Sequence, residues 1–191
     1  MATKFIDKIT IPSDRFEMRL SGSGGQGMIF ASVVLSKAIG IGSTKNVVQS
    51  QSYGPEARGG ASKADVVVSD NEIYYPKAMK LDLLLAMTQE ALDKYYPDLK
   101  EGGTLIIDSS MIDDVPTDKY YALEFTRIAR KDVGHIMVAN VVALGAIAAI
   151  TGLVSKERLV ETVLERAPKG TEDKNRKAVD IGYEEALKLK K

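Results

Sequence analysis

Four glycines within six residues place the strongest constraint on how this chain of 191 residues folds. They are Gly22, Gly24, Gly25 and Gly27. Before them, Phe16–Ser21 alternates apolar with polar side chains, which is the period of a half-buried strand. After them, Gln26–Ile39 is mostly apolar and precedes Gly40, which predicts a helix ended by a left-handed residue. Glycines let a bound group approach the backbone, and the amides of the turn and of the helix N-terminus point at it, so the stretch predicts an anion-binding turn.

Strand and helix patterns alternate along the rest of the chain and predict an α/β fold. Further strands are predicted at Asn46–Gln51, Ala61–Ser69, Glu72–Tyr75 (as a hairpin partner), Leu81–Met87, Thr104–Asp108 and Lys119–Glu124. Helices are predicted at Glu90–Tyr96, Phe125–Lys131, Ala139–Ile150 and Lys156–Ala167, with a last one after Thr171. The first strand, helix and second strand form a βαβ unit, for which the two strands are expected to be parallel. We therefore predict a single Rossmann-like three-layer sandwich with a mainly parallel sheet over residues 15–191, after a lead-in over residues 1–14.

Composition narrows the chemistry that the chain can perform alone. It has no cysteine, which excludes disulfides, thiolate nucleophiles and cysteine-ligated iron–sulfur clusters within the chain. Its single histidine, His135, is expected to be a capping or core residue rather than a catalytic base, and no metal site is predicted. Lys plus Arg and Asp plus Glu both number 26, so no general field attracts nucleic acid or an anionic membrane. Zero net charge also does little to oppose self-association of the isolated chain.

One segment has the length of a membrane span. Val133–Ser155 carries no Asp, Glu, Lys or Arg. Because it is interrupted by glycine and asparagine and is rich in alanine rather than leucine, a buried helix is the favoured interpretation. Asn140 inside it then needs a hydrogen-bond partner, either core backbone or a neighbouring subunit. A cytoplasmic protein without a membrane segment is expected.

The glycine turn matches the letters of the dinucleotide fingerprint, Gly22-x-Gly24-x-x-Gly27. The full signature also requires an acidic residue about 20 positions on, at the end of the second strand, to hold the ribose hydroxyls. That place is taken by Gln49-Ser50-Gln51. Three interpretations stay open: a site for another anion or a partner, a purely structural tight turn, and classical NAD binding.

A second stretch, Tyr53–Gly60, packs a tyrosine, a carboxylate and a guanidinium between glycine and proline residues. Such a loop can hold a stiff shape while it presents Glu56 and Arg58, and Arg58 can bind a phosphate or carboxylate through two hydrogen bonds. The loop follows the second strand at the edge where α/β proteins bind ligands, which favours a site. The alternative is an Arg–Glu pair on a surface turn.

Three motifs in this order resemble one known family. They are Gly22-Ser23-Gly24-Gly25-Gln26-Gly27, Gln51-Ser52-Tyr53-Gly54-Pro55-Glu56-Ala57-Arg58-Gly59-Gly60-Ala61-Ser62 and Asp82-Leu83-Leu84-Leu85-Ala86. The chain is similar to the gamma subunits of 2-oxoacid:ferredoxin oxidoreductases, also known as the gamma catalytic domain of pyruvate and ketoisovalerate oxidoreductases, and within them most to the 2-oxoglutarate type. The likeness runs from about residue 17 to the C-terminus, and the second motif is its most specific part.

The resemblance implies oxidative decarboxylation of a 2-oxoacid with coenzyme A, giving acyl-CoA and CO2 and reducing ferredoxin. It implies that thiamine diphosphate, Mg and iron–sulfur clusters belong to partner alpha, beta and ferredoxin-like subunits, so that this chain alone binds no cofactor and is inactive. The absence of cysteine agrees with that division.

Mapped onto this sequence, the resemblance suggests a role for each motif. Gly22, Gly24, Gly25, Gln26 and Gly27 are expected to form the anion-receiving turn for coenzyme A phosphates. Tyr53, Glu56 and Arg58 are expected to form an interface loop that orients and stabilises charge at the acyl-transfer site. The alternatives are a free-standing Rossmann-type NAD(P)-binding protein and a non-catalytic assembly subunit.

Overall fold

The computed structural model describes residues 9–51 and 60–189 and contains one six-stranded sheet. The strands are β1 (Phe16–Ser23), β2 (Asn46–Gln51), β3 (Ala61–Ser69), β4 (Leu81–Ala86), β5 (Leu99–Asp108) and β6 (Tyr121–Leu123). Their order across the sheet is β2-β3-β1-β4-β5-β6. The β1–β4, β4–β5 and β5–β6 pairs are parallel, and β3 is antiparallel to both of its neighbours. The predicted α/β class with a mainly parallel sheet is confirmed.

Strands β1 and β2 run in the same direction, as the βαβ prediction requires, but they are not neighbours in the sheet. Because β3 is antiparallel to both β1 and β2, those two strands run the same way, as predicted. However, β3 lies between them. The predicted strand at Glu72–Tyr75 is wrong, since this segment forms bends and no strand. Its backbone is bound instead by Arg15, whose Nη2 donates to the carbonyl oxygens of Tyr75 and Lys77, at 3.0 Å each.

The first strand is buried on both faces, although its alternation predicts a half-buried strand. Its apolar residues pack into the larger core, while Glu17 and Arg19, on the other face, are only 4% and 2% exposed. Glu17 accepts hydrogen bonds from the amides of Met79 (2.6 Å) and Lys80 (2.8 Å), which belong to the segment that covers this face. The polar residues of β1 can be buried because ion pairs and hydrogen bonds take the place of solvent.

Helices cover the two faces of the sheet unequally. The helices are α1 (Met28–Gly40), α2 (Gln89–Tyr95), α3 (Phe125–Ile128), α4 (Ala139–Thr151), α5 (Lys156–Leu164) and α6 (Glu172–Lys188). The larger core joins one face of the sheet to all of them except α2, and the smaller core joins the other face to α2. The three-layer arrangement therefore has one thick and one thin helical layer.

Side-chain caps mark the N-termini of α2 and α5. The hydroxyls of Thr88 and Ser155 accept the amides of Ala91 and Arg158, as N-caps do. Thr171 stands at the N-cap position of α6, but its hydroxyl donates to the carbonyl of Pro168 (2.7 Å), accepts the side-chain amide of Asn175 (2.9 Å) and caps no backbone amide of the helix. The predicted helix from Phe125 is α-helical only to Ile128, after which Ala129–Val133 forms a π-helical turn.

Helix α4 is enclosed on every side. All thirteen of its residues are buried, as the alanine-rich composition predicts. It crosses α6 at Gly145 and Gly182, where backbone faces backbone: a Cβ on Gly182 would fall well inside van der Waals contact with the carbonyl of Val142. In the part of the chain that the structure describes, no helix has the length and apolarity that a membrane span requires.

Candidate functional site: an uncapped helix N-terminus between two clefts

The glycine turn leads from β1 into α1 at the carboxyl edge of the parallel strands. Gly25 and Gly27 adopt φ angles of 92° and 73°, which side-chain-bearing residues rarely adopt. The amide of Gln26 donates to the carbonyl of Ser23 (3.2 Å), and the carbonyl of Gly27 accepts the amide of Ala31 (2.9 Å), the first bond of the helix. This edge is where α/β sheets bind ligands.

Gln26 gives the turn its shape. Its side-chain Oε1 accepts the amide of Ser23 at 2.8 Å and so folds back over Gly22. A Cβ on Gly22 would collide with that carboxamide and lie 3.1 Å from Cβ of Met87. Packing inside the turn therefore requires glycine at position 22, and Oε1 of Gln26 stabilises the turn.

The N-terminus of α1 has no acceptor of its own. No side chain caps it at Gly27, and its first turn contains no acidic residue. Within residues 9–51 and 60–189, the amides of Gly25, Gly27, Met28, Ile29 and Phe30 donate to no recorded acceptor. Free amides at the positive end of a helix dipole form a site for an anion.

Two clefts of about 280 Å³ and 210 Å³ open on either side of this N-terminus, and Gly25, Gln26 and Met137 line both. The larger is also lined by residues including Phe30, His135, Asn140, Arg166 and Asn175. The smaller is also lined by Met111, Thr126, Arg130, Ile136 and Ala139. Among the described residues that line it, each cleft thus has one arginine and no carboxylate. In a chain of zero net charge, this local excess of positive charge favours an anionic ligand.

Asn140 forms the floor of the larger cleft and is 5% exposed. Its Nδ2 donates to the carbonyl of Gly27 at 3.1 Å, so the core backbone supplies the partner that the sequence requires. Its Oδ1 is buried and accepts no hydrogen bond from the described residues. A Cβ on Gly27 would lie 2.5 Å from Asn140 Nδ2, which explains the glycine at that position.

The structure brings together only part of the predicted site. Gly22, Gly24, Gly25, Gln26 and Gly27 form one continuous turn. Tyr53, Glu56 and Arg58 lie outside the described residues, and their roles stay predictions. Gly60, the first described residue after them, accepts the amide of Gly24 through its carbonyl (3.3 Å).

Other polar residues of this edge divide into structural and cleft-lining ones. Asp108, at the end of β5, accepts four hydrogen bonds from the amides and hydroxyls of Ser110 and Thr126, so it anchors the start of α3. The hydrogen bond and charge of Glu124 raise the pKa of Arg127, whose side chain is partly exposed. His135 is half-buried and lines the larger cleft, although its side chain caps nothing. The sequence carries no signal for the clefts, since Arg166 and Asn175 reach them only through tertiary packing.

The residues that the structure describes do not form the classical dinucleotide site. In that arrangement the strand that carries the ribose-binding acid lies next to the first strand. Here β3 separates β2 from β1, and the side-chain amide of Gln49 on β2 donates to the hydroxyl of Ser32 on α1 (3.0 Å). The NAD interpretation of the glycine letters therefore has no geometric support.

Comparison with known proteins identifies the family. Residues 17–185 match the pyruvate ferredoxin/flavodoxin oxidoreductase family. The chain belongs to this family. Among its members, the chain is 48% identical to the 2-oxoglutarate synthase subunit KorC of Methanocaldococcus jannaschii, over 92% of this chain and 96% of that one. It is 30% identical to a pyruvate synthase subunit PorC of Methanothermobacter marburgensis, over 88% of this chain and 96% of that one. The resemblance found in the sequence motifs is confirmed.

Solved structures of pyruvate ferredoxin/flavodoxin oxidoreductase relatives share the fold. The gamma subunit of a keto/oxoacid ferredoxin oxidoreductase from Geobacter sulfurreducens superposes with a TM-score of 0.84 at 49% identity, covering 93% of this chain and 99% of that one. A 2-oxoglutarate:ferredoxin oxidoreductase from Magnetococcus marinus, solved with 2-oxoglutarate, coenzyme A and succinyl-CoA, superposes with a TM-score of 0.81 at 22% identity. That match covers 94% of this chain but 32% of the Magnetococcus chain, and at this identity it shows the fold alone.

Proposed function

We propose that this chain supplies the coenzyme A-facing anion site of a 2-oxoglutarate:ferredoxin oxidoreductase. The chain is a subunit of a 2-oxoacid:ferredoxin oxidoreductase, as its family and its KorC relatives indicate. The reaction joins a 2-oxoacid to coenzyme A, releases CO2 and passes two electrons to ferredoxin. For 2-oxoglutarate the acyl product is succinyl-CoA. The alternatives of a free-standing NAD(P) protein and of a purely structural assembly subunit are not favoured.

The observation that carries the site assignment is the uncapped N-terminus of α1. Its free amides lie between two clefts whose described lining residues include one arginine each and no carboxylate, so the electrostatics favour a phosphate-bearing ligand. Coenzyme A is the phosphate-bearing reactant of this enzyme class. The chain's contribution is to bind and orient it, and preorganised dipoles do this without reorganisation during the reaction.

The redox chemistry is assigned to partner subunits in a cytoplasmic complex. A chain without cysteine has no thiolate to hold an iron–sulfur cluster. Across residues 9–51 and 60–189 there is also no group of three metal-binding side chains. Thiamine diphosphate with Mg, held by alpha and beta subunits, supplies the decarboxylation chemistry, and clusters in a ferredoxin-like subunit carry the electrons to ferredoxin. The substrate assignment is tested by assaying the assembled complex with 2-oxoglutarate, pyruvate and branched 2-oxoacids. Faster turnover of pyruvate than of 2-oxoglutarate would overturn the assignment.

We expect Gly25→Asp in the assembled complex to raise the KM for coenzyme A about tenfold and to leave kcat nearly unchanged, because a carboxylate at this place repels phosphate. Gly25 has open space around it, with no atom within 4 Å of a Cβ. Gly25→Asn is the matched control, since it imposes the same backbone strain at φ 92° without charge. Steady-state kinetics of ferredoxin reduction measures the effect.

A second control places the same charge elsewhere. Gly102 has a φ of 75° and equally open surroundings, but it lies near the start of β5, at the opposite edge of the sheet. Gly102→Asp is therefore expected to leave the KM unchanged. Equal KM values for Gly25→Asp and Gly25→Asn would contradict the assignment of the anion site to this turn.

For the Tyr53–Gly60 loop we propose an interface role in which Arg58 stabilises charge near acyl transfer. Arg58→Ala is then expected to lower kcat of the complex by about a hundred- to a thousandfold, the range found when one oxyanion-hole donor is lost. Arg176→Ala, which removes an exposed arginine of α6, is the control and is expected to change neither constant. Unchanged kcat and unchanged KM for coenzyme A in Arg58→Ala would reject the role.

A further inference from the structure

Asn140 carries a buried hydrogen-bond acceptor that the described part of the fold leaves unused. The direction of its amide is fixed, since the carbonyl of Gly27 can only accept and must therefore face Nδ2 (3.1 Å). Oδ1, with less than 1 Å² of accessible surface, then receives no donor from the described residues. An unpaired buried acceptor destabilises a folded chain, so it is expected to have a partner that the described residues do not provide.

The surroundings of Asn140 indicate where that partner comes from. Asn140 lines the larger cleft together with Gly25, Gln26 and Gly27 of the turn. The other residues of α4 are apolar except for one threonine. The turn has free space on one side, since nothing lies within 4 Å of a Cβ position at Gly25. Because Oδ1 is covered in this structure, a ligand in the cleft reaches it only when the turn shifts outward into that space.

Donors and an acceptor thus belong to residues that line the same cleft. The free amides of α1 bind an anion, and Asn140 Oδ1, next to the first carbonyl of the same helix, accepts a hydrogen bond. A bare phosphate dianion satisfies the amides but offers nothing to Oδ1. A ligand that satisfies both must carry an O–H or N–H group close to its anionic group.

We propose that this cleft selects an organic phosphate with a hydroxyl group on the carbon next to the one that carries the phosphate, and that Asn140 Oδ1 accepts this hydroxyl. The inference rests on the proposed function, because the ribose of coenzyme A has such a pair, a 3′-phosphate beside a 2′-hydroxyl. The cleft volume of about 280 Å³ lies at the lower end of ligand pockets, so it holds a phosphoribose fragment and not the whole coenzyme.

The test compares two ligands that differ by one hydroxyl. Calorimetry of the assembled complex with adenosine 3′-phosphate and 2′-deoxyadenosine 3′-phosphate is expected to give about tenfold tighter binding of the ribonucleotide, since the deoxy compound leaves Oδ1 unpaired. In Asn140→Ala the ratio is expected to fall below about twofold. Asn46→Ala removes an exposed asparagine, whose Nδ2 donates to the carbonyl of Asn71 (3.1 Å) at the start of β2, and is expected to retain the full ratio.

Equal affinities in the unmodified complex, or a ratio that Asn140→Ala does not change, would overturn the inference. The first comparison needs no variant, so it decides the matter even where Asn140→Ala fails to fold. If the ratio is absent while Gly25→Asp still raises the KM for coenzyme A above that of Gly25→Asn, the proposed function stands and only the hydroxyl selection fails. If neither nucleotide binds and the two Gly25 variants behave alike, both fail.

Discussion

Gly182→Ala is expected to lower the free energy of unfolding by about 3 kcal/mol or more, at the upper end of the range for overpacked cores. The added methyl would fall against the carbonyl of Val142, which belongs to the backbone of α4 and cannot rotate away. On the other side of the crossing, a Cβ on Gly145 would lie 2.9 Å from the amide nitrogen of Tyr183. The two helices would have to separate, and α4 is buried along its whole length. Chemical denaturation monitored by circular dichroism measures the loss.

Gly40→Ala is the matched control, because Gly40 is also helical, at the last position of α1. The nearest atom to its Cβ position is Cγ2 of Val47 at 3.9 Å, an ordinary contact. Alanine forms helix better than glycine by up to about 1 kcal/mol, so this variant is expected to be neutral or more stable. The same substitution in two helices is therefore expected to give effects of opposite sign. A small or stabilising effect of Gly182→Ala would show that the helices do not touch there.

Arg19→Met is expected to lower the free energy of unfolding by about 3–5 kcal/mol, the cost of leaving a buried charge without its partner. Arg19 on β1 donates from Nε and Nη2 to both carboxylate oxygens of Asp65 on β3, at 2.7 and 3.1 Å, and also bonds Asp98. Burial opposes the charge of Arg19, but the hydrogen bonds and charges of Asp65 and Asp98 outweigh it and raise its pKa above the ordinary value. The guanidinium therefore keeps its charge across the neutral range. Its carbon also lies 5.1 Å from the ring centre of Tyr95, which adds a cation–π contact.

The control for Arg19→Met is Lys45→Met. Lys45 forms an ion pair with Asp70 at 2.6 Å, but both side chains are partly exposed. Exposed pairs contribute about 1 kcal/mol or less, so this variant is expected to change stability little. Arg19→Met combined with Asp65→Leu is expected to recover part of the loss, since it removes the stranded carboxylate. A loss in Arg19→Met no larger than in Lys45→Met would contradict the buried network.

Much of this fold can be predicted from local patterns. The strands at residues 46–51 and 61–69 occur at their predicted bounds, because apolar runs and turn residues delimit them in the sequence. The alanine-rich segment that begins at Ala139 was expected to be a buried helix, and it is one. The glycine turn was expected to join a strand to a helix N-terminus, and it does.

What the sequence could not supply depends on contacts between distant segments. Nothing local predicts that β3 enters between β1 and β2, since strand order follows from packing of the whole sheet. The polar residues of β1 alternate as they would on a solvated face, yet Arg19 pairs with Asp65 and Asp98, which follow it by 46 and 79 positions in the sequence. Arg166 and Asn175 meet the turn only through the arrangement of α5 and α6. Periods of 2 residues in a strand and 3.6 residues in a helix indicate which residues share a face of one element, and they do not indicate partners on other elements.

The bare crossing of α4 and α6 also sets the shape of the larger cleft. Asn140 stands at the beginning of α4 and Asn175 in the first turn of α6, and both line that cleft. Since the two helices meet main chain to main chain, with no rotatable group between them, the spacing of these walls is a fixed dimension of the protein. Adjustment to a bound molecule is then expected from the opposite wall, at Gly25, which has open space beside it.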